Sequence, residues 1–187
     1  MERWVGRVAL VTGASVGLGR TISQALVEHG MIVYGCAREC DKIKVNVLAL
    51  SICTREAVKQ MKERNIDDGH IMHMNSMHGH GFPTDAHFYI ANKFMVTALT
   101  EGLRRELRAM GSSIRASCIS PALVEDTDIF IRLLGGKGNS VRSPFKPLEP
   151  KDIADLVVYI LAAPPHMEIH DIHVRGTEQP LWFSTEL

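Results

Sequence analysis

The sequence predicts an α/β domain built on a parallel sheet. Two features carry that expectation: short β-branched runs alternate with helical periodicities, and a glycine-rich turn joins the first run to the first helix. The composition agrees with it. The chain has 187 residues, 45% hydrophobic and 22% charged, the balance of an ordinary globular domain with a real core. A single domain spanning 1–187 is expected from that length.

The elements follow in order. Arg7 to Thr12 is a short apolar run of the kind seen in buried parallel strands. Glycines at 13, 17 and 19 punctuate a turn, and Leu18, Ile22, Ala25 and Leu26 then recur at helical spacing up to Gly30. Met31 to Cys36 is a second strand. Val45 to Arg64 reads as a helix, Ile66 to Gly69 as a turn, and His70 to Asn75 as a strand. Asp85 to Met110 is a long helix and Ile114 to Ile119 a strand. Residues 120–150, rich in Gly, Ser and Pro, read as a substrate loop with a short helix near Ile129 to Leu134. Pro150 opens a last helix that Pro164-Pro165 ends, and Ile169 to Val174 is the fifth strand.

Several function classes are disfavoured. Lys plus Arg is 21 and Asp plus Glu is 21, so no basic excess points to nucleic acid. The longest wholly apolar run, Leu156 to Ala163, falls far short of the ~20 residues a membrane span needs. Cys36, Cys40, Cys53 and Cys118 form no C-x-x-C pair, which fits a reduced, cytoplasmic protein. His70, His73, His78 and His80 lack the spacing and mixed ligand types of a zinc site, so no metal is expected.

Two constellations carry chemistry. In Thr12-Gly13-Ala14-Ser15-Val16-Gly17-Leu18-Gly19 the glycines let the backbone approach a pyrophosphate resting on the free N–H groups of the following helix. The spacing is G-x-x-x-G-x-G, and an ordinary strand-to-helix turn is the plainer alternative. Past the second strand stands Arg38, whose guanidinium suits a ribose 2′-phosphate, with Ser15 as a further donor. That favours NADP(H) over NAD, although Glu39 next to it is the alternative acid. The second constellation is Tyr89-x-x-x-Lys93, a phenol and an ammonium on one helix face. The lysine charge is expected to lower the tyrosine pKa and make Tyr89 a general acid for a carbonyl oxygen. Ser76, at the end of the His70 strand, sits where open α/β sheets place their ligands.

Taken together, glycine turn, serine and Y-x-x-x-K in this order resemble the classical short-chain dehydrogenase/reductase family, over nearly the whole chain. The resemblance implies a doubly wound, Rossmann-like domain and hydride transfer between NADP(H) and a carbonyl or secondary alcohol, of steroid or dicarbonyl class. It implies that Gly13, Ser15, Gly17, Leu18, Gly19, Arg38, Tyr89, Lys93 and Pro121 bind the cofactor. Ser76, Tyr89 and Lys93 match the catalytic serine, tyrosine and lysine, and Asn46 matches the asparagine that holds a relay water. A homo-oligomer is implied as well.

The chain departs from the family pattern in three places. Ile90 and Asn92 are unusual in the tyrosine motif. Pro121-Ala122 stands where the family has Pro-Gly, at a cost if that backbone needs positive φ, and Thr127 is shifted by one position. Between Ile43 and Lys44 the family has a further segment with its third and fourth strands, ~60 residues at ~30 per βαβ unit. About five strands remain. From the family order 3-2-1-4-5-6-7, loss of this segment leaves 2-1-gap-5-6-7. Closing the gap to 2-1-5-6-7 restores a continuous sheet, at the cost of moving Ser76, Tyr89 and Lys93 one strand spacing, ~4.8 Å, toward the glycine turn. The expectation is therefore low or absent turnover, and the alternative function is an impaired chain that binds nucleotide weakly or only associates with intact subunits.

Overall fold

A computed structural model describes residues 1–36, 44–81, 87–125, 127 and 145–180, with the backbone alone at 44–46. Five strands and four α-helices alternate along the chain: β1 (Val8–Thr12), α1 (Gly17–Glu28), β2 (Ile32–Cys36), α2 (Leu50–Glu63), β3 (His70–Met74), α3 (His87–Ala109), β4 (Arg115–Pro121), α4 (Pro150–Ala162) and β5 (Asp171–Val174). Each expected strand and each of the four longer helices lies within a few residues of its place. A π-helical run, Lys44–Ala49, leads into α2. The short helix expected near Ile129 to Leu134 lies outside the described residues.

The strands form two parallel sheets, one of order β1-β2 and one of order β3-β4-β5. Among the described residues β1 pairs with β2, and β4 pairs with β3 on one side and β5 on the other. Contacts cluster the chain into two compact units: Met1–Glu39, Leu123–Ala163 and Arg175–Gln179 in the first, Cys40–Ala122, Pro164–Val174 and Pro180–Leu187 in the second.

In the first unit α1 packs on the β1-β2 sheet and against α4. The end of α4 is held from the N-terminus. The Trp4 indole donates to the Leu161 carbonyl at 2.8 Å, and the Arg3 guanidinium donates to the carbonyls of Leu161 and Ala163 at 3.0 and 2.6 Å. These bonds satisfy carbonyls that a helix C-terminus leaves free. The other end opens with Pro150, and the Glu149 N–H donates to the Asp152 carboxylate at 2.8 Å. One expectation is corrected here: β1 is not a strand buried on both faces. Val8, Leu10, Ile32 and Tyr34 are half or more exposed. Within this unit α1 packs on one face of the pair, and exposure alternates along β1 with the period of a strand.

In the second unit β4 is buried at every residue, as befits a central parallel strand. Its register sets His70 opposite Arg115 on one side and Cys118 opposite Asp171 on the other. Leu103 and Leu107 of α3 pack with Ile114 and Ala116, and Val58, Met61 and Ile71 close around them. Arg104 ties helix to sheet. Its buried guanidinium donates to the carbonyls of Ala116 (2.9 Å) and His170, and pairs with Asp171 at 3.1 Å. These bonds hold the C-terminal half of α3 at the amino ends of β4 and β5.

Candidate active site

The second unit brings together three of the residues singled out in the sequence. Ser76 follows β3 in extended conformation and starts a 3-10 turn, Met77–Gly79. Its buried Oγ accepts the His78 N–H at 3.3 Å and lies 3.3 Å from the His78 ring Nδ1. Tyr89 lies on the first turn of α3, and Lys93 one turn on holds its Nζ 5.7 Å from the centre of the phenol ring. The ammonium donates to the carbonyls of Met74 and Asn75, at 3.2 Å each, so it is anchored to the end of β3.

Burial sets the protonation behaviour of this cluster. It pushes the Lys93 pKa down to about 8, and pushes the Tyr89 phenol above its ordinary value, with the Ser76 hydrogen bond pulling the other way. The expected lowering of Tyr89 is therefore reversed in the ligand-free chain. Taking a phenolate out of water outweighs the stabilisation its neighbours provide.

Four supporting residues carry no signal strong enough to be read beforehand. The Asn75 amide donates to Thr97 Oγ1 at 2.9 Å, and the Thr97 hydroxyl lies 2.9 Å from the Gly79 carbonyl and 3.2 Å from that of Lys93. Gly79 has no room for a side chain, since a Cβ there meets the Asn75 amide at 2.6 Å and the Lys93 carbonyl at 2.8 Å. The fourth is His78, whose ring meets Tyr89 edge-on at 5.6 Å between centroids. Thr97 extends the Tyr89-Lys93 spacing by one more turn, which is the one cue the sequence offers. The four clustered histidines diverge: His70 reaches Ser117, His73 lies between Thr54 and Thr100, His78 meets Ser76, and His80 meets Ser120.

In the first unit the glycine turn has the expected shape. Gly13 and Gly17 take φ of +72° and +53°, values that favour glycine. At Gly19 a Cβ would stand 2.2 Å from the Gly13 carbonyl oxygen, so turn and helix touch backbone to backbone. Val16 caps α1 with no side-chain bond, leaving the N–H groups of the first turn, Gly17 to Gly19, without a side-chain cap. An uncapped, glycine-lined helix start of this kind fits a pyrophosphate. Ser15 is exposed beside it and Leu18 lies in the first helical turn.

The remaining candidates are less informative. Arg38 lies outside the described residues, and Asn46 is described only as backbone within the π-helical run. Pro121 is the buried last residue of β4. Ala122 donates its N–H to the Val174 carbonyl at 2.8 Å. Among the described residues other than glycine, positive φ occurs at Asn65 alone, so Ala122 carries no such strain. Thr127 donates its hydroxyl to the Val124 carbonyl at 2.8 Å.

The family profile described as "short chain dehydrogenase" matches residues 40–135, just over half of the chain. The chain belongs to the short chain dehydrogenase family. This is a family of oxidoreductases, and its members' extended similarity covers nearly all of the sequence. The chain is 41% identical to Dehydrogenase/reductase SDR family member 11 of Gallus gallus, over 96% of this chain and 99% of that protein. The Homo sapiens protein of that name is 40% identical over 96% and 97% of the two chains. Farnesol dehydrogenase of Aedes aegypti is 29% identical over 94% and 98%. Among solved structures, a serine dehydrogenase complexed with NADP+ superimposes with a TM-score of 0.78 at 20% identity, covering 92% of this chain and 96% of the other, which speaks for the fold. The match to the Gallus gallus relative runs over 254 residues, whereas this short chain dehydrogenase has 187, so at least 67 (254 − 187) find no counterpart here. No described helix is long and apolar enough to cross a membrane.

Proposed function

We propose that this chain is an NADP(H)-dependent oxidoreductase acting on a carbonyl or secondary alcohol, of steroid or dicarbonyl class. The observation that carries the reading is the gathering of Ser76, Tyr89 and Lys93 at the end of β3, with His78 touching both Ser76 and the phenol ring and the Lys93 ammonium 5.7 Å from that ring. A proton donor, a hydrogen-bonding partner and a fixed positive charge then surround one position where a carbonyl oxygen can sit. The bound nicotinamide supplies or accepts the hydride. Tyr89 gives its proton to the developing alkoxide in reduction and takes it back in oxidation. Ser76 orients the same oxygen, and Lys93 stabilises the phenolate that Tyr89 becomes. Asn46 holds a water that returns a proton to this chain of groups. Gly13, Ser15, Gly17, Leu18 and Gly19 hold the pyrophosphate, Arg38 the 2′-phosphate, and Tyr89, Lys93 and Pro121 the nicotinamide side. We read residues 1–187 as one NADP-binding domain with a substrate loop at 120–150, working as a cytoplasmic homo-oligomer.

A second reading has an observation of its own. At least 67 residues of the Gallus gallus relative have no counterpart in this chain, which favours weak nucleotide binding and impaired turnover, or association with intact subunits. A thermal melt with and without NADPH tests the binding step common to both. At 100 times its dissociation constant a ligand specific for the folded state adds ~2.7 kcal/mol, a rise of several degrees in Tm. The proposal expects that rise with NADPH and a smaller one with NADH at equal concentration. A cooperative melt that neither nucleotide moves contradicts it.

A further inference from the structure

His78 has no role in the chemistry described above, yet it touches both Ser76 and the ring of Tyr89. Its ring Nδ1 is 3.3 Å from Ser76 Oγ, its backbone N–H points at the same oxygen at 3.3 Å, and its ring packs edge-on against Tyr89. Ser76 has one proton to give. To orient a carbonyl oxygen, as the proposed chemistry asks of it, the serine must point that proton at the substrate. The serine oxygen must then accept from both His78 groups, which requires a proton on Nδ1. With a bare Nδ1 the ring would compete with Tyr89, and with any substrate oxygen, for that single proton.

We propose that His78 is the positioning residue for Ser76: its Nδ1–H donates to Ser76 Oγ and so keeps the serine proton turned toward Tyr89 and the substrate carbonyl. This rests on the oxidoreductase reading of the same site. The groups facing the ring are Ser76 beside it and Tyr89 and Lys93 from α3. Burial and the Lys93 charge both disfavour the imidazolium, so the ring enters as a neutral group whose tautomer is set by the bond it makes.

The decisive experiment is long-range proton–nitrogen NMR of the full chain labelled with 15N at histidine, near pH 7.5. The His78→Asn spectrum identifies the His78 signals. The expected result is the Nδ1–H tautomer in the wild type and loss of that preference in Ser76→Ala. An Nε2–H tautomer or an imidazolium in the wild type overturns the proposal, as does a pattern that Ser76→Ala leaves unchanged. This readout does not depend on turnover, so it stands apart from failure of the oxidoreductase reading itself. Where the wild type turns over with NADPH and a dicarbonyl, His78→Leu is expected to lower kcat about tenfold, the scale of one lost hydrogen bond. His78→Asn, which restores an N–H donor, recovers most of it. Equal kcat in all three proteins refutes the role.

Discussion

Lowering the pH from 7 to 4 should destabilise this fold through one buried side chain, His73. The ring lies between two helices, with Nε2 2.9 Å from Thr54 Oγ1 and Nδ1 2.8 Å from Thr100 Oγ1. Thr100 donates its own proton to the Val96 carbonyl at 2.7 Å, so its oxygen accepts from Nδ1–H, and Nε2 accepts from Thr54. A neutral ring satisfies every partner. Burial, and then the charge of Arg104, push its pKa from 6.5 to about 4. Between those values the unfolded chain binds a proton that the folded chain does not, so stability is full above pH 6.5 and is lost as pH falls toward 4. A difference of 2.5 pH units at 1.36 kcal/mol each is about 3 kcal/mol, a large share of a typical domain's stability. Urea denaturation at a series of pH values measures it, with His73→Gln as the control. His78 and His80 are lowered as well, so the quantity to read is wild type minus variant. The wild type should lose about 3 kcal/mol more than His73→Gln over this range. Parallel pH profiles would show that His73 titrates alike in both states and would refute the reasoning.

Three further perturbations test other parts of the fold and site. Gly19→Ala places a Cβ 2.2 Å from the Gly13 carbonyl oxygen, where neither backbone can yield cheaply, and should cost about 1–3 kcal/mol in chemical denaturation together with any NADPH-induced shift in Tm. Arg104→Ala leaves the Ala116 and His170 carbonyls short of a donor and removes the partner of the solvent-exposed Asp171, so a loss of about 1–3 kcal/mol is expected in the same assay. Lys93 is held near pKa 8, below its unfolded value of 10.5, so stability should climb as pH rises from 8 to 10.5, and Lys93→Met should flatten that climb. An unchanged slope in the variant contradicts the assignment.

The parts of this molecule that are legible in the sequence are those set by local periodicity. The β1 run, the α1 stripe ending at Gly30 and the Pro150 start of α4 follow from propensities and capping rules that act within a few residues. The Tyr89–Lys93 pair is legible for the same reason, since four residues on a helix define a shared face. What was not legible is non-local. The pairing of β4 with both β3 and β5 depends on which edges meet, and a ladder between distant strands leaves no mark in either run. The exposure of Val8 and Leu10 depends on what covers the sheet, which β-branched composition does not tell. The rise in the Tyr89 pKa reflects burial competing with hydrogen bonding, and the spacing to Lys93 reveals only the favourable side. Asn75, His78 and Thr97 join the site through the tertiary contact between the β3 end and α3, and nothing in their neighbours announces it.

We propose that Ser76, Tyr89 and Lys93 form a carbonyl-reducing centre in this shortened member of the family. Single-turnover oxidation of NADPH by a dicarbonyl, with enzyme in excess over nucleotide, tests it most directly, because a slow centre is visible there when steady-state assays miss it. Measurable NADPH oxidation is expected in the wild type, with a loss of about 10²–10⁴-fold in Tyr89→Phe. That variant keeps the ring against His78 and should melt normally. Oxidation that proceeds equally in wild type and Tyr89→Phe, or that is absent from a wild type whose Tm NADPH raises, would contradict it.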